Sequence, residues 1–256
     1  GTKKKRVAKR IESFNGRSGG YVQVIILICN ILGLCVLITG SPFFLFLTLL
    51  LPRWRNGILE RFGIVPKEIR EKIKGKPNIW FHSASAGECK CIIPIAKKMQ
   101  EKHKDAQLVF TTTTINGKKI LHKYLDDPIT FFLPLDIYFF IKPVVKLINP
   151  KILVIAETEL WPTLIYYVKK KGGKIAVVNG RISKKNFHRY IMVKGLFNYV
   201  LQMIDSFSVR TEEDLKLINL LLKAASTKVT VGGDLKYETF LVDENKLEQI
   251  ANKMSP

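Results

Sequence analysis

The sequence predicts an α/β domain built around a parallel sheet, preceded by an apolar N-terminal membrane anchor helix. The first observation is a run from Tyr21 to Leu51 that contains no charged side chain. The second is that short apolar runs alternate with longer amphipathic segments through the remaining sequence, which is typical of βαβ units. With 47% hydrophobic residues, the chain has enough apolar side chains to bury one full core.

The charge-free run is longer than the roughly 20 residues that cross a hydrocarbon core. As one straight helix it would be about 46 Å long, and Gly40-Ser41-Pro42 predicts a break between Tyr21–Thr39 and Phe43–Leu51. The run exceeds the apolar region of a cleavable signal peptide and lacks its small-residue cleavage pattern. We therefore expect residues 1–20 to form a basic tail and residues 21–52 to form a membrane anchor.

The formal net charge of +21 predicts an anionic partner, which can be a nucleic acid, an anionic bilayer or a phosphorylated substrate. Nucleic acid is disfavoured, because most of the cations are lysines, whereas the reading of bases relies on arginine and on stacked aromatic side chains. Basic residues lie on both sides of the anchor, so a single span and a re-entrant hairpin both remain open.

Seven apolar runs are predicted to be the strands of the sheet, with helical stretches between most of them. They are Asn78–His82, Gln107–Thr112, Ile129–Phe132, Ile152–Ala156, Lys174–Val178, Ser206–Val209 and Lys228–Val231. In an open parallel sheet, the carboxyl ends of the strands lie along one edge, where ligands bind. Polar and glycine-rich segments follow the predicted strands, so we expect these segments to form one cleft.

Glu88 is the first catalytic candidate, because it follows the first predicted strand at the start of a helix. Gly87 is expected to permit a tight turn from strand to helix and so to place the Glu88 carboxylate in the first helical turn. The functional interpretation is a general base that faces the cleft. The structural alternative is a helix-start glutamate that interacts with the helix dipole.

Glu157 and Glu159 directly follow the apolar run Ile152–Ala156, where a carboxylate is costly unless it is paired or functional. Their alternation predicts that only one of the two side chains points into the cleft, and Glu157 is the preferred candidate. The alternative is that these carboxylates stabilise the start of the helix that begins at Pro162.

Other polar side chains fall at the same predicted edge. Lys236 lies in a glycine-rich turn after the last strand, where a cation could neutralise charge that develops during a reaction. Thr111–Thr114 could donate hydroxyl groups to a ligand, although two of the four are expected to face the core. His82 has no ligand spacing and is expected to be solvated or in the core. Neither cysteine pair has zinc-finger or C-x-x-C spacing, so no metal site is predicted.

Eight segments occur in the order seen in Kdo transferases, and the resemblance covers roughly Arg53 to Glu238. They are RWRNGILERFG (Arg53–Gly63), HSASAGE (His82–Glu88), TTTTINGKK (Thr111–Lys119), LPLD (Leu133–Asp136), ETELWP (Glu157–Pro162), NGRIS (Asn179–Ser183), TEED (Thr211–Asp214) and GGDLKYE (Gly232–Glu238). The combination of ETELWP with S-x-G-E is specific. The chain therefore resembles the glycosyltransferases that attach an acidic eight-carbon sugar to the lipid A precursor.

The resemblance implies a GT-B glycosyltransferase whose Rossmann-like N-terminal domain binds the acceptor. Such an enzyme is inverting, uses no metal or other cofactor, and acts in lipopolysaccharide core biosynthesis at the cytoplasmic face of the inner membrane. The implied donor is CMP-Kdo, and the implied acceptor is the phosphorylated lipid A precursor lipid IVA. The basic surface and the anchor would then share one purpose, which is attachment to an anionic membrane.

The resemblance also implies roles for particular residues, by position. Glu88 corresponds to the general base that deprotonates the acceptor hydroxyl, and Glu157 and Lys236 correspond to residues that stabilise the transition state. The implied acceptor-binding residues are Ser85, Gly87, Thr113, Thr114 and Arg181.

Beyond the anchor, the resemblance implies a further division of the chain. Residues 53–240 are expected to form the acceptor-binding domain, and residues 241–256 are expected to begin a linker to a C-terminal nucleotide-binding domain that the chain lacks. The alternative function is a non-catalytic, membrane-anchored half or scaffold that binds the acceptor only.

Overall fold

The computed structural model describes residues 17–50, 56–73, 75–182, 187–192, 194–221 and 228–235, and shows an α/β fold with one parallel sheet. The helices are α1 (Arg17–Leu50), α2 (Ile58–Arg61), α3 (Lys67–Lys72), α4 (Ala86–Lys102), α5 (Ile115–Tyr124), α6 (Tyr138–Ile148), α7 (Pro162–Lys170), α8 (Phe187–Met192), α9 (Lys194–Gln202) and α10 (Glu212–Leu221). The strands are β1 (Asn78–His82), β2 (Gln107–Thr112), β3 (Ile129–Phe132), β4 (Pro150–Ala156), β5 (Lys174–Gly180), β6 (Ser206–Val209) and β7 (Lys228–Val231). The predicted fold class is confirmed.

The strands are arranged in the order β3-β2-β1-β4-β5-β6-β7, and every neighbouring pair is parallel. Alternate side chains of each strand enter two apolar layers. In β1, Trp80 packs in one layer, whereas Phe81 packs in the other and stacks on Phe110 with ring centroids 5.3 Å apart. The strand order reverses between β1 and β4, and a crevice is expected at the carboxyl ends of strands that flank such a reversal.

Helix α1 continues through Gly40-Ser41-Pro42, so the predicted break at this tripeptide is wrong. Pro42 lacks the N–H that would bond the carbonyl of Ile38, and the hydroxyl of Ser41 donates a hydrogen bond of 2.7 Å to that carbonyl instead. The side chain thus satisfies the backbone group that proline leaves free. By length and composition, Val24–Phe43 within α1 is sufficient to cross a membrane, with a mean hydropathy of 2.5.

Helix α1 also packs against the globular domain at the N-terminal ends of α6 and α7. The Asn30 amide donates a hydrogen bond of 3.1 Å to the Thr163 hydroxyl, and its carbonyl oxygen accepts one from the Tyr138 N–H. Gly33 faces Ile137, and a Cβ at this position would make an ordinary van der Waals contact of 3.4 Å with Ile137 Cγ1. Ile26 is buried in the same interface layer. Helix α1 is therefore joined to the domain by polar and apolar contacts.

Asn30→Leu is expected to lower the free energy of unfolding by about 1–3 kcal/mol, because the Tyr138 N–H then loses its acceptor. Chemical unfolding in detergent micelles, followed by tryptophan fluorescence, measures the change. Leu32→Ala is the control on the exposed side of the same helix, where a change within ~0.5 kcal/mol is expected. If Asn30→Leu unfolds like the wild type, α1 is a tether that does not stabilise the domain.

Candidate active site at the carboxyl edge of the sheet

The turn after β1 places Glu88 in the first turn of α4, as predicted. Ser85 is the N-cap, and its hydroxyl oxygen accepts a hydrogen bond of 3.3 Å from the Glu88 N–H. In return, the Glu88 carboxylate accepts a bond of 2.8 Å from the Ser85 hydroxyl and one of 2.7 Å from the Ala84 N–H. This reciprocal arrangement is a capping box that also fixes the orientation of the carboxylate.

Burial is the main cause that raises the pKa of Glu88 above its ordinary value of 4.5, and the negative charge of Glu157 adds to this effect. The hydrogen bonds from Ala84 and Ser85 act in the opposite direction and lower the pKa, but the net direction is upward. A carboxylate with a raised pKa is a better proton acceptor near neutral pH than an ordinary one. The capping role and the role of a base are therefore compatible at Glu88.

Two further carboxylates join Glu88, from the loop that follows β4. Burial raises the pKa of Glu159, and the charges of Glu88 and Glu157 raise it further. Glu157 has a left-handed backbone with φ of 53°, and its N–H donates a bond of 2.8 Å to the Val178 carbonyl of β5. The three carboxylates therefore interact electrostatically, and Glu159 belongs to this group although Glu157 was the preferred candidate.

The start of α7 is stabilised by another carboxylate, from the loop after β3. The N-cap of α7 is Trp161, which makes no side-chain capping bond. Instead, Asp136 accepts hydrogen bonds of 2.9 Å from the Thr163 N–H and 2.8 Å from the Leu164 N–H. The residue is partly exposed, but its carboxylate is enclosed, and burial raises the pKa of Asp136 to about 6. Neither Glu157 nor Glu159 is needed as a cap for α7.

The threonine run at the end of β2 ties that strand to the turn that carries Glu88. The hydroxyls of Thr112, Thr113 and Thr114 donate hydrogen bonds of 3.0, 3.0 and 3.1 Å to the Ala84 carbonyl. Thr114 is also the N-cap of α5 and accepts a bond of 3.1 Å from the Gly117 N–H. Thr111 and Thr112 are buried, as predicted for two of the four. The hydroxyls of Thr113 and Thr114 are thus engaged in positioning the turn.

His82 lies in the core, within a chain of hydrogen bonds that runs from Trp80 through Thr111 to Trp161. Its Nε2 accepts a bond of 3.1 Å from the Trp161 indole, and its Nδ1 lies 3.1 Å from the Thr111 hydroxyl oxygen, which also accepts from Trp80. Burial lowers the pKa of His82 to about 4, so the imidazole is neutral near pH 7. The chain holds Trp161 in place two residues after Glu159, and no spacing in the sequence indicated this.

Gly87 is not required by the turn geometry, so the reason given for it from the sequence is wrong. It lies inside α4 without a positive φ, and a Cβ there would approach only the Ser85 hydroxyl oxygen, at 3.8 Å. The residue is exposed directly beside Glu88. Gly87 therefore presents an exposed position without a side chain at the start of α4, next to Glu88 in sequence.

The loops after β5 and β7 also approach this edge. The Arg181 N–H donates a bond of 3.2 Å to the Thr158 hydroxyl oxygen, which connects the exposed Arg181 to the loop of Glu157 and Glu159. The Leu235 N–H donates a bond of 3.1 Å to the Asn179 side chain at the end of β5. Lys236 follows directly but lies outside the described residues. Within the described ranges, no three His, Cys, Asp or Glu side chains are grouped as metal ligands.

Comparison with known proteins connects this geometry to one family. The family profile described as 3-Deoxy-D-manno-octulosonic-acid transferase (kdotransferase) matches residues 56–239, more than half of the chain. The chain belongs to the Kdo transferase family. The matched region contains the turn of Glu88 and the loop of Glu157 and Glu159, so the resemblance read from the motifs is confirmed.

Several known proteins are similar to much of this chain. The 3-deoxy-D-manno-octulosonic acid transferase of Chlamydophila psittaci is 30% identical over 209 residues, which are 80% of this chain and 47% of the relative. That of Haemophilus influenzae is 28% identical over 221 residues, 86% of this chain and 49% of the relative. A bifunctional glycosyltransferase/methyltransferase of Fusobacterium nucleatum is 33% identical over 179 residues, 69% of this chain and 28% of that protein. The chain spans about half the length of the two Kdo transferases.

Proposed function

We propose that this chain is the acceptor-binding half of a membrane-attached Kdo transferase. The reaction is transfer of Kdo from CMP-Kdo to the lipid A precursor lipid IVA, with inversion, in lipopolysaccharide core biosynthesis. The observation that carries the proposal is the cluster of Glu88, Glu157 and Glu159 at the carboxyl edge, beside the exposed Gly87. Family membership supplies the class of reaction, and the cluster supplies groups that can perform it.

Glu88 is the proposed base. Its carboxylate accepts the proton of an acceptor hydroxyl while that oxygen forms a bond to the anomeric carbon of Kdo. At the same time the bond from the anomeric carbon to the CMP phosphate breaks, and CMP leaves with the bonding electrons. The bonds from Ala84 and Ser85 hold the carboxylate in a single orientation before the acceptor arrives.

The other proposed catalytic residues stabilise charge that develops in the transition state. Positive charge develops on the sugar ring of a glycosyl transition state, and the carboxylate of Glu157 is proposed to stabilise it. Lys236 is proposed to offset the negative charge of the leaving phosphate or of the Kdo carboxylate. Ser85, Gly87, Thr113, Thr114 and Arg181 are the proposed acceptor contacts, with Thr113 and Thr114 acting mainly through the position of the Ala84 turn.

Attachment to the cytoplasmic face of the inner membrane is part of the proposal. Helix α1 supplies an apolar stretch of sufficient length, and the net charge of +21 favours the anionic leaflet and the acceptor phosphates. The proposed division of the chain is a basic tail at 1–20, an anchor at 21–52, the acceptor domain at 53–240 and a linker from 241. A nucleotide-binding half on a further segment is proposed to hold most of the donor.

A second candidate is a non-catalytic half or scaffold that only binds the acceptor, and separate measurements of transfer and of acceptor binding distinguish it from the enzyme. The protein as its gene encodes it is incubated with CMP-Kdo and vesicles that contain lipid IVA. Mass spectrometry of the lipid is expected to show addition of Kdo. Binding of the 256-residue chain to the same vesicles, compared with vesicles lacking lipid IVA, measures acceptor recognition. Binding of lipid IVA without transfer of Kdo supports the scaffold. If the protein neither binds lipid IVA nor transfers Kdo, both proposed functions are contradicted.

Gly87→Leu is expected to lower Kdo transfer by about ten- to a hundredfold, because a bulky side chain at this exposed position next to the proposed base would hinder the approach of the acceptor. Gly87→Ala is the matched control, since its Cβ makes only the 3.8 Å contact with Ser85, and its turnover is expected to stay near wild type. Both variants gain helix propensity, by up to ~1 kcal/mol, so melting temperatures should not fall. Wild-type turnover of Gly87→Leu would show that the acceptor approaches elsewhere.

A further inference from the structure

An open groove separates α1 from the loop that follows β3. It has a volume of about 330 Å³ and lies at the lower end of the range for small-molecule sites, which runs from about 300 to 1,000 Å³. One wall is formed by Gly33, Val36 and Leu37 of α1, and the other by Leu135, Asp136 and Ile137. Asn30 joins the two walls at one end, through its hydrogen bonds with Tyr138 and Thr163.

The lining of the groove favours an apolar ligand. Five of its six lining residues are apolar, and the oxygens of the sixth, Asp136, already accept bonds from the Thr163 and Leu164 N–H groups. Val36 is 71% exposed and Leu135 is 38% exposed, so both present apolar surface at the groove. A polar ligand would find no unused hydrogen-bonding side chain among these residues, whereas an acyl chain would cover apolar surface.

The position of the groove favours the acceptor lipid as its ligand over bulk phospholipid. One wall belongs to the stretch Val24–Phe43, which is suited to the membrane. The other follows β3 at the carboxyl edge of the sheet, where Asp136 bonds the first turn of α7. The residues before that turn include Trp161 and Glu159 of the carboxylate cluster. Leu135–Ile137 and the first turn of α7 therefore lie at the same edge of the sheet as Glu88.

We propose that the groove between α1 and Leu135–Ile137 binds one acyl chain of the acceptor lipid and so directs its head group toward Glu88. The inference rests on the proposed function, since it takes the acceptor to be a lipid A precursor. It adds a second recognition element, formed jointly by the anchor and the domain. The acceptor then does not leave the bilayer, because the anchor itself provides the wall along which the chain lies.

Photo-crosslinking tests the proposal with the full chain reconstituted in phospholipid nanodiscs. One probe is lipid IVA with a diazirine on one acyl chain, and the other is phosphatidylethanolamine with the same diazirine chain. Peptide mass spectrometry locates the adducts, which are expected on residues 33–37 and 135–137 with the lipid IVA probe. Val36→Trp fills the groove and should reduce this labelling by about tenfold. Ile38→Trp is the matched control, because Ile38 is similarly exposed on α1 but does not line the groove.

Three outcomes overturn the proposal. Equal labelling of the groove by both probes would show that bulk phospholipid fills it, and labelling by neither would show that no lipid enters. Labelling by lipid IVA that is unchanged in Val36→Trp would place the chain elsewhere on α1. Transfer activity of the gene-encoded protein is measured separately. If Kdo is transferred but the groove is not labelled, the acyl-chain proposal fails and the proposed enzyme stands. If the lipid IVA probe specifically labels the groove but no Kdo is transferred, the acyl-chain proposal stands and the proposed enzyme fails.

Discussion

Replacement of Glu88 by Gln in the gene-encoded protein is expected to lower turnover by about 10²–10⁴-fold, because the amide cannot accept the proton of the acceptor hydroxyl. The Gln side chain keeps the size of Glu88 and can still accept a bond from Ala84 or Ser85. Acceptor binding should therefore remain near wild type, and single-turnover kinetics should assign the loss to the chemical step. Turnover above about half of wild type would exclude Glu88 as the base.

Asp214→Asn is the matched control for Glu88→Gln. Asp214 occupies the same place relative to its cap, because the Thr211 hydroxyl accepts from the Asp214 N–H at 3.1 Å and donates to its carboxylate at 2.7 Å. Its other oxygen accepts a bond of 2.8 Å from the Ile182 N–H. A similar loss of melting temperature in both variants, with turnover lost only in Glu88→Gln, separates catalysis from capping.

The pH dependence gives an independent signature of the same carboxylate. Turnover should fall as the pH falls through the pKa of Glu88, because the protonated carboxyl cannot act as a base. Burial and the charge of Glu157 raise this pKa, so the acid limb of kcat/KM should lie above pH 4.5. Glu157→Gln removes one of these causes and should move the limb to lower pH, even if it also lowers turnover. An unmoved limb would assign the titration to another group.

Asp136→Ala is expected to lower the free energy of unfolding by about 2 kcal/mol, because the Thr163 and Leu164 N–H groups lose their acceptor at the start of α7. Urea unfolding in detergent measures the change. Asp105→Ala, on the exposed surface, is the control and should stay within ~0.5 kcal/mol of wild type. If both variants unfold alike, the cap does not stabilise α7.

The raised pKa of Asp136 also predicts how stability depends on pH. Burial favours the protonated form in the folded state, so the related stabilisation is complete below the ordinary value of 3.8 and is lost as the pH rises through about 6. Asp136→Asn cannot ionise and should lack this part of the pH dependence, although it keeps one acceptor for α7. Melting temperatures between pH 4 and pH 7 check the prediction, and parallel curves for the two proteins would contradict it.

The strands were predictable because each is a short apolar run between turn signals. Five of the seven have the predicted bounds, and β4 and β5 differ only in two polar or turn-forming residues at an end, such as Asn179 and Gly180. Glu88 was also placed correctly, since capping is a local interaction that a three-residue spacing reveals. Features that depend on neighbouring residues in the chain, such as strand bounds and helix caps, could therefore be predicted from the sequence.

The remaining features depend on contacts between distant segments. Asp136 caps α7 across 27 and 28 residues of sequence, so spacing near Pro162 pointed to the wrong carboxylates. Glu159 joins Glu88 only because β4 lies next to β1 in the folded sheet. The expected break in α1 failed for a different reason, since the proline rule does not include the Ser41 hydroxyl that bonds the Ile38 carbonyl.

The contact of Asn30 with the domain has a consequence for the order of folding during synthesis. Its partner Thr163 follows 133 residues later in the chain. At synthesis rates of about 5–20 residues per second, roughly 7–27 s separate the translation of the two residues. A buried amide oxygen without a partner costs about 2–7 kcal/mol in an apolar medium. Burial of Asn30 against the domain is therefore expected to be a late step of folding, because its partners are synthesised long after α1.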